Sequence, residues 1–304
     1  MSRRPILVTG AHRSGTTWVG KMLAVAPGVG YIHEPFNPTT PAGISSAPFD
    51  RYFSVVTAGN EARYLPGLRR TLAFDFAWGA ALREVRTPGQ AARAARDAWR
   101  FGRLRSAQAR PLVKDPIALL SAEWLAERFG MDVVVLVRHP AGFAASLERL
   151  GWQHSFPTFL AGGRAPEILH PYEDEIRAHA EDPADVLAEA ALLWRILYGT
   201  VAGYRERHPD WTFLRHEDAG ADPGGTFERL YGRLGLELTP AARERIERAS
   251  GSENPVEGPS PHAVDLDSAG AVTRWRTLLS PAEVELLRER TRDVWPLFYA
   301  DEDW

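Results

Sequence analysis

A glycine-bounded loop near the start of the chain is the first feature whose residue types could do chemistry. Gly10 and Gly15 enclose four residues, between an apolar run and a stretch with helical spacing. This is the glycine spacing of a P-loop, in which backbone N–H groups and the positive end of the following helix hold a phosphate. Thr16 stands where the P-loop lysine would be, and the cation is Arg13 instead. The pattern predicts an anion site; a glycine-rich turn without a ligand is the alternative.

A second cation follows a continuous apolar run. Residues 133–137 are Val-Val-Val-Leu-Val, which is typical of a parallel strand buried on both faces, and Arg138 comes next. A P-loop ATPase has an acidic residue at this strand end to help hold magnesium. Ser146 lies eight residues later, on a helix predicted to start at Pro140. A phosphate there would meet a guanidinium, a hydroxyl and the helix dipole. We therefore predict arginine in place of metal, with Ser146 as a helix-packing serine the alternative.

Strands and helices that alternate along the chain must position these residues. Apolar runs predict strands at 5–9, 31–32, 111–114, 133–137 and 211–214. Helical spacing covers 16–26, 118–129, 140–150, 184–207, 223–235, 239–249 and 280–293, whereas 251–274 resembles a loop. This order predicts an α/β fold of three layers, with a mainly parallel sheet flanked by helices. We predict one domain over 1–304, with an irregular and helical acceptor-binding insertion around 36–110.

Composition narrows the classes of function. The net charge of −3 argues against broad binding to nucleic acid or a membrane surface. The absence of cysteine excludes disulfides, thiolate metal sites and a cysteine nucleophile. The first apolar run is too short for a signal peptide, and no later segment is expected to span a bilayer. We therefore expect a cytoplasmic protein; the sequence does not indicate its oligomeric state.

These motifs resemble the sulfotransferases that use 3′-phosphoadenosine-5′-phosphosulfate (PAPS). The run from Arg13 to Trp18 is similar to that family's 5′-phosphosulfate loop, and Arg138 with Ser146 is similar to its 3′-phosphate site. The resemblance implies a P-loop-like sulfotransferase fold, PAPS as donor, 3′-phosphoadenosine 5′-phosphate (PAP) as product, and no required metal. It also implies that Trp18 stacks on adenine and that the donor contacts Arg13, Ser14, Gly15, Thr16, Thr17, Trp18, Arg138 and Ser146.

Two further segments resemble the tyrosylprotein and carbohydrate sulfotransferases. Glu34 follows Arg13 by 21 residues, and Lys114 opens a Lys-Asp-Pro segment. The resemblance implies that Glu34 is the catalytic base, while Lys114 and Arg13 stabilise the departing group. Glu34 could instead be a solvated loop residue or a salt-bridge partner. His33 is then the reserve base, and His154 a more distant one that we interpret as a surface histidine.

The C-terminal half carries weaker matches. Residues 213–218 resemble a family segment whose tyrosine lies near the adenine, with His216 in its place, and residues 273–276 resemble a late basic and aromatic loop. The resemblance implies donor contacts from His216, Arg274, Trp275 and Arg276. Asp115, beside Lys114, is expected to orient that lysine or cap the next helix.

The combined prediction is a sulfotransferase that moves a sulfuryl group from PAPS to a hydroxyl of a small-molecule or glycan acceptor. The acceptor is a carbohydrate, a glycolipid, a phenolic natural product or a tyrosine. A metal-dependent P-loop kinase and a non-catalytic nucleotide-binding protein are the alternatives. Eight arginines could hold an anionic acceptor, although a solvated face is the commoner role: Arg83, Arg86, Arg93, Arg96, Arg100, Arg103, Arg105 and Arg110. Aromatic residues between 36 and 78 could line an acceptor pocket or pack in the core.

Overall fold

The computed structural model of the protein describes residues 4–160, 163–182, 185–258, 260 and 263–304. Within these ranges five strands form one sheet: β1 (Ile6–Gly10), β2 (Val29–His33), β3 (Arg110–Lys114), β4 (Asp132–Val137) and β5 (Thr212–Arg215). The strand order is β2-β3-β1-β4-β5, and every neighbouring pair is parallel. The predicted α/β fold with a parallel sheet is therefore confirmed. All five strands place their carboxyl ends at the same edge.

The helices before β4 are α1 (Thr16–Leu23), α2 (Leu65–Leu72), α3 (Trp78–Glu84), α4 (Pro88–Ser106) and α5 (Ala122–Phe129). Those after it are α6 (Pro140–Leu150), α7 (Glu173–Glu181), α8 (Val186–Arg207), α9 (His216–Ala221), α10 (Pro223–Leu234), α11 (Pro240–Ser250), α12 (Ser268–Thr273), α13 (Trp275–Leu278) and α14 (Pro281–Arg290). The sequence did not predict α7, α9, α12 and α13. Three of these four have six residues or fewer, too few for an apolar period to be recognised.

Alternating side chains of each strand enter two apolar layers. Ile6 and Val8 of β1 pack with residues of α1, α10 and α11 on one face of the sheet. Leu7 of β1 and Val135 of β4 pack with residues of α5, α6 and α8 on the other. Successive side chains of a strand point to opposite faces, so both layers bury the sheet. This is the three-layer arrangement predicted from the alternation of strands and helices.

Helix α8 is the central helix of one layer. By length and composition it could cross a membrane, so the expectation that no later segment could do so is wrong on that criterion. In this fold 72% of its apolar window is buried inside the protein, and α8 packs against α6 and α14. Trp194 and Tyr198 of α8 are completely buried. The apolar side chains of α8 thus belong to the core.

The segment between β2 and β3 contains irregular chain followed by α2, α3 and α4. Phe36, Phe49 and Tyr64 form a stack, with ring centroids 4.1 and 4.7 Å apart. Phe74 and Phe76 contact Phe101 of α4. These rings join the apolar cluster that covers one face of the sheet. Most aromatic residues of this segment are therefore core residues.

Candidate active site

The loop after β1 has the backbone shape of an anion site. Gly10 has φ +142°, and a Cβ there would lie 2.4 Å from the carbonyl oxygen of Leu136. Arg13 and Gly15 also have positive φ, so the chain turns tightly before α1 starts at Thr16. No side chain in the described ranges caps this helix start. The first N–H groups of a helix have no acceptor within it, so they are available to an anion.

The side chain of Ser14 points into the loop, whereas the next three residues face a cavity. Its hydroxyl donates to the carbonyl oxygen of Ala11 at 2.5 Å, and its N–H donates to the same oxygen at 3.2 Å. The side chain is completely buried. Ser14 does not line that cavity in this structure, and its predicted contact with the donor stays a prediction. Ser14 holds the turn, and Gly15, Thr16 and Thr17 face the cavity that follows.

Arg138 is held at the end of β4 by helix α8. Its N–H donates to the hydroxyl of Tyr198 at 3.0 Å, and its carbonyl oxygen accepts from Nε1 of Trp194 at 2.8 Å. Its guanidinium donates to the carbonyl oxygen of Arg13. Burial lowers the pKa of Arg138, yet an arginine keeps its charge. In the described part of the chain it forms no ion pair, although the buried carboxyl of Glu217, which accepts from the N–H of His139 at 3.0 Å, opposes the lowering of its pKa.

Arg13 links the loop to α6, because its Nε donates to Oγ of Ser146 at 3.1 Å. Burial, with the charges of Arg138 and Arg149, lowers the pKa of Arg13 to about 10, so it is charged at neutral pH. These cations line a cavity of about 370 Å³, here called the arginine cavity. Ten of the twelve predicted donor-binding residues line it: Arg13, Gly15, Thr16, Thr17, Trp18, Arg138, Ser146, His216, Arg274 and Trp275.

Two ring nitrogens at the arginine cavity have no hydrogen-bond partner in the described structure. They are Nδ1 of His216 and Nε1 of Trp18. Trp18 packs edge-on against Phe227, with centroids 5.3 Å apart, and lies close to His216. Burial, with the charges of Arg138 and Arg13, lowers the pKa of His216 to about 3. His216 is therefore neutral and can hydrogen-bond a ligand without adding charge.

The late basic segment contributes to the arginine cavity only in part. Arg274 lines it and pairs with Glu257 at 2.6 Å, and Trp275 stacks on His139 with centroids 5.0 Å apart. Arg276 instead donates to the carbonyl oxygens of the two C-terminal residues. Arg276 does not line the arginine cavity in this structure, and its predicted contact with the donor stays a prediction.

Glu34 and Lys114 form a buried ion pair at the ends of β2 and β3. The ammonium of Lys114 contacts Oε1 of Glu34, and Asn37 donates to Oε2 at 2.8 Å. The side chain of Lys114 is completely buried, and a Cβ on Gly20 of α1 would lie 2.9 Å from its Cγ. Burial would raise the pKa of Glu34, but the charge and hydrogen bond of Lys114 hold it below the ordinary value. Glu34 is thus ionised. His33 lies 3.9 Å from its Oε1.

Asp115 organises the chain around this pair. Its Oδ2 accepts from the N–H of Phe36 at 2.7 Å, and its Oδ1 accepts from the N–H groups of Ile117 and Ala118 at 2.9 and 3.2 Å. Burial raises the pKa of Asp115 to about 7. The contacts with Ile117 and Ala118 agree with the prediction that Asp115 caps the helical turn that follows it.

Glu34 faces a second cavity of about 460 Å³, here called the glutamate cavity. Arg13, Thr16 and Thr17 line both cavities, so the two meet at the loop. The remaining walls are mainly aromatic and aliphatic: His12, Asn37, Tyr52, Phe53, Pro116, Ile117, Leu147, Gly151, Trp152, Gln153 and His154. Of the aromatic residues between 36 and 78, Tyr52 and Phe53 belong to this wall.

Several of these residues were missed or misread from the sequence. His154 is half-buried and lines the glutamate cavity, so its interpretation as a surface histidine is wrong. It packs against the rings of Phe53, which is distant in sequence, and Phe159. Neither contact could be recognised from the sequence pattern around His154. Arg149, which lines the arginine cavity, carried a usable signal because it follows Ser146 by three residues, on the same helix face. The sequence around Trp152 and Asn37 carried no such signal.

The sequence and the fold of the chain are similar to those of known proteins. The model of the sulfotransferase family matches residues 5–240. The chain belongs to the sulfotransferase family. A sulfotransferase domain of the olefin synthase of Synechococcus PCC 7002 is 20% identical, with a TM-score of 0.53, and the match covers 98% of this chain and 95% of that domain. This likeness confirms the P-loop-like sulfotransferase fold.

Two other solved structures are more distant. The sulfotransferase domain from the curacin biosynthetic pathway is 16% identical, with a TM-score of 0.48, over 96% of this chain and 99% of that one. The sulfotransferase STF1 of Mycobacterium tuberculosis is 20% identical, with a TM-score of 0.45, over 95% and 76%. No curated protein sequence matches the chain. In the described ranges of this sulfotransferase, no group of three histidine or acidic side chains could hold a metal ion.

Proposed function

We propose that this sulfotransferase takes the sulfuryl group of PAPS and places it on a hydroxyl bound in the glutamate cavity. The observation that carries the proposal is the shared wall of Arg13, Thr16 and Thr17 between the two cavities. Group transfer of this kind needs the attacking and leaving oxygens in line on opposite sides of the transferred group. A donor in one cavity and an acceptor in the other would meet at this wall.

The arginine cavity suits the donor in charge and in hydrogen-bonding capacity. The uncapped start of α1 suits the 5′-phosphosulfate, because helix N-termini bind anions. Arg138, without an ion pair in the described residues, suits the 3′-phosphate together with Ser146. The unpartnered nitrogens of His216 and Trp18 suit the adenine, which offers both donors and acceptors.

Glu34 would act as the general base, a role typically worth about a hundred- to ten-thousand-fold in rate. It takes the proton of the acceptor hydroxyl while that oxygen bonds to sulfur and the bond from sulfur to the 5′-phosphate oxygen breaks. The electron pair leaves with PAP. Proton uptake removes the charge of Glu34, which frees the ammonium of Lys114 from its ion pair. Lys114 and Arg13 can then stabilise the departing phosphate.

A metal-dependent kinase is the weaker candidate, because this site has a cation where a kinase of this fold places a magnesium ligand. Arg138 holds the end of β4, and the P-loop lysine is replaced by Thr16. A non-catalytic nucleotide-binding protein would have no need for an ionised carboxylate at the wall of a second cavity. Glu34 is such a group.

Calorimetric titration tests the donor. PAP without metal is expected to bind at micromolar affinity, and Arg138→Ala is expected to weaken it at least about tenfold, since charge-assisted hydrogen bonds to a phosphate contribute more than 1.4 kcal/mol. Arg96→Ala, an exposed arginine of α4, is the control and should leave the affinity unchanged. Tighter binding of ATP with magnesium than of PAP would overturn the proposal.

A further inference from the structure

Exposed aromatic rings mark the mouth of the glutamate cavity. Tyr52 is 44% exposed and Trp152 is 40% exposed, although most large apolar side chains of the described structure are buried. Both line this cavity, together with Phe53, Ile117 and Leu147. Exposed apolar surface that is gathered at a concave site commonly serves a ligand.

The charged side chains that line the glutamate cavity already interact with other residues of the protein. Among the described residues that line it, Glu34 and Arg13 carry charge. Glu34 is paired with Lys114, and Arg13 donates to Ser146 on the arginine side. A charged acceptor would therefore find no additional lysine or arginine on this wall. The arginines of α4 are absent from it as well.

Two imidazoles in this wall are neutral. Burial, with the charges of His154 and Arg13, lowers the pKa of His12 to about 3, and burial lowers the pKa of His154 to about 4. His12 lies within 5.7 Å of the ring of Phe53 and 6.4 Å of the ring of Trp152, measured between centroids. Its Nδ1 is buried and has no partner in the described structure. These histidines offer polar contacts without charge.

We propose that the acceptor is an uncharged phenol of more than one ring, bound against the aromatic wall that includes Trp152 and Phe53, with its hydroxyl toward Glu34. This rests on the proposed transfer reaction and names its acceptor class. The volume of about 460 Å³ lies in the range of pockets that hold drug-sized ligands. Offset or edge-on contact between aromatic rings contributes beyond the buried area alone.

The other acceptor classes fit this wall less well. A free sugar carries hydroxyls all around its ring, and those that face Phe53, Ile117 and Leu147 would find no partner. Each buried hydroxyl without a partner costs about 1–3 kcal/mol. An acidic glycan or an acidic peptide would need cations beyond Arg13, which already donates to Ser146. The low pKa of Glu34 makes it a weak base, which suits a phenolic hydroxyl with a pKa near 10 better than an alkyl hydroxyl.

Binding of matched ligands to the PAP-saturated protein tests the acceptor class. 2-Naphthol is the neutral probe, 6-hydroxy-2-naphthoate adds one negative charge, and N-acetylglucosamine replaces the rings with a sugar. Calorimetry should give 2-naphthol an affinity at least about tenfold above either of the others, a difference of 1.4 kcal/mol. Equal affinity for the naphthoate, or tighter binding of the sugar, would overturn the inference.

Variants of Trp152 test whether 2-naphthol binds at the wall of the glutamate cavity. Trp152→Ala should weaken 2-naphthol about tenfold and PAP less, since the guanidinium of Arg13 lies 5.9 Å from the centre of the Trp152 ring. Trp152→Phe should restore most of the loss because it keeps a ring. Trp99→Ala is the control, since Trp99 is an exposed tryptophan of α4 that does not line the cavity. An unchanged affinity in Trp152→Ala would also overturn the inference.

Failure of this inference and failure of the proposed function give different results. A protein that does not bind PAP contradicts the proposed donor, and 2-naphthol can then be titrated into the unliganded protein to test the wall by itself. A protein that binds PAP but prefers the sugar retains its donor and contradicts the acceptor class.

Discussion

The carboxylate of Glu34 and the ammonium of Lys114 form one ion pair at the ends of two adjacent strands. The residue before Glu34 lies beside Lys114 in the β2–β3 register, and the N–H of Glu34 donates to the carbonyl oxygen of Lys114 at 2.8 Å. The pair is therefore fixed by the sheet. Because the proposed base and the proposed helper of the departing group share this contact, a proton on Glu34 would release the ammonium of Lys114.

Glu34→Gln should abolish turnover and leave donor binding intact. The variant keeps the shape of the side chain but cannot accept the proton, so kcat should fall about a hundred- to ten-thousand-fold. The affinity for PAP should stay within about twofold, since Glu34 lines the glutamate cavity and not the arginine cavity. Turnover assays with PAPS and calorimetry with PAP measure the two effects. A variant that loses both would show a structural role for Glu34.

The double variant Glu34→Gln with Lys114→Met is the control for stability. Removing one partner of a buried ion pair leaves an uncompensated charge and costs about 3–5 kcal/mol. Replacing Lys114 by an apolar side chain removes that charge, so the double variant should recover the free energy of unfolding but not the activity. Recovery of activity as well would contradict Glu34 as the base.

The pH dependence of kcat/KM should reflect the low pKa of Glu34. Lys114, with Asn37, holds this pKa below its ordinary value, so the base stays ionised at neutral pH. The rate should decline only as the pH falls below about 4.3, the ordinary value for glutamate. The stability contributed by the ion pair is present above that value and is lost as the pH falls through the lowered pKa. An acid limb near pH 6.5, the ordinary value for imidazole, would contradict Glu34 as the base.

Gly15→Ala should reduce donor binding through contact with His216. A Cβ at Gly15 would lie 2.6 Å from Nδ1 of His216, at a residue with φ +89°. Gly28→Ala is a matched control, because Gly28 has φ +76° and no atom within 4 Å of its Cβ position. Both variants should lose about 1–2 kcal/mol of stability from backbone strain. Calorimetry should show weaker PAP binding in Gly15→Ala and not in Gly28→Ala. Equal losses of PAP affinity in the two variants would contradict the role of His216.

The fold and the arginine cavity were largely predictable from the sequence, because both depend on local patterns. The apolar run before Arg138 and the glycine spacing around Arg13 determine a strand end and a loop, and parallel strands bring such ends together. The sequence also indicated Glu34 and Lys114 through their resemblance to known motifs. Their contact became visible only with the strand order, which places β3 between β1 and β2.

The glutamate cavity was not predictable, since the aromatic part of its wall comes from irregular chain. Tyr52, Phe53 and Trp152 lie in segments without a period, and tertiary packing decides which of their rings face the cavity. The same is true of His154, which the sequence placed on the surface. For Arg276 a motif suggested a donor contact, whereas its side chain donates to a backbone carbonyl oxygen away from the arginine cavity.

Arg274 and Arg276 should therefore respond differently to alanine. Arg274 lines the arginine cavity, so Arg274→Ala should weaken PAP binding by several fold. Arg276 binds the carbonyl oxygen of Asp303 at 2.9 Å, so Arg276→Ala should lower the melting temperature with little effect on PAP affinity. Calorimetry and thermal unfolding on both variants separate the roles. A larger loss of PAP affinity in Arg276→Ala would restore the resemblance-based assignment.

Glu257→Gln should increase donor affinity. Glu257 pairs with Arg149 and Arg274 at the arginine cavity, so its carboxylate competes with an incoming phosphate for the same cations. Exposed pairs contribute about 0–1 kcal/mol, so their loss should tighten PAP binding up to about fivefold, less at high salt. Glu289→Gln, which breaks an exposed pair with Arg292 on the last helix, is the control and should change nothing. Weaker PAP binding in Glu257→Gln would mean that this carboxylate positions the arginines for the donor instead of competing with it.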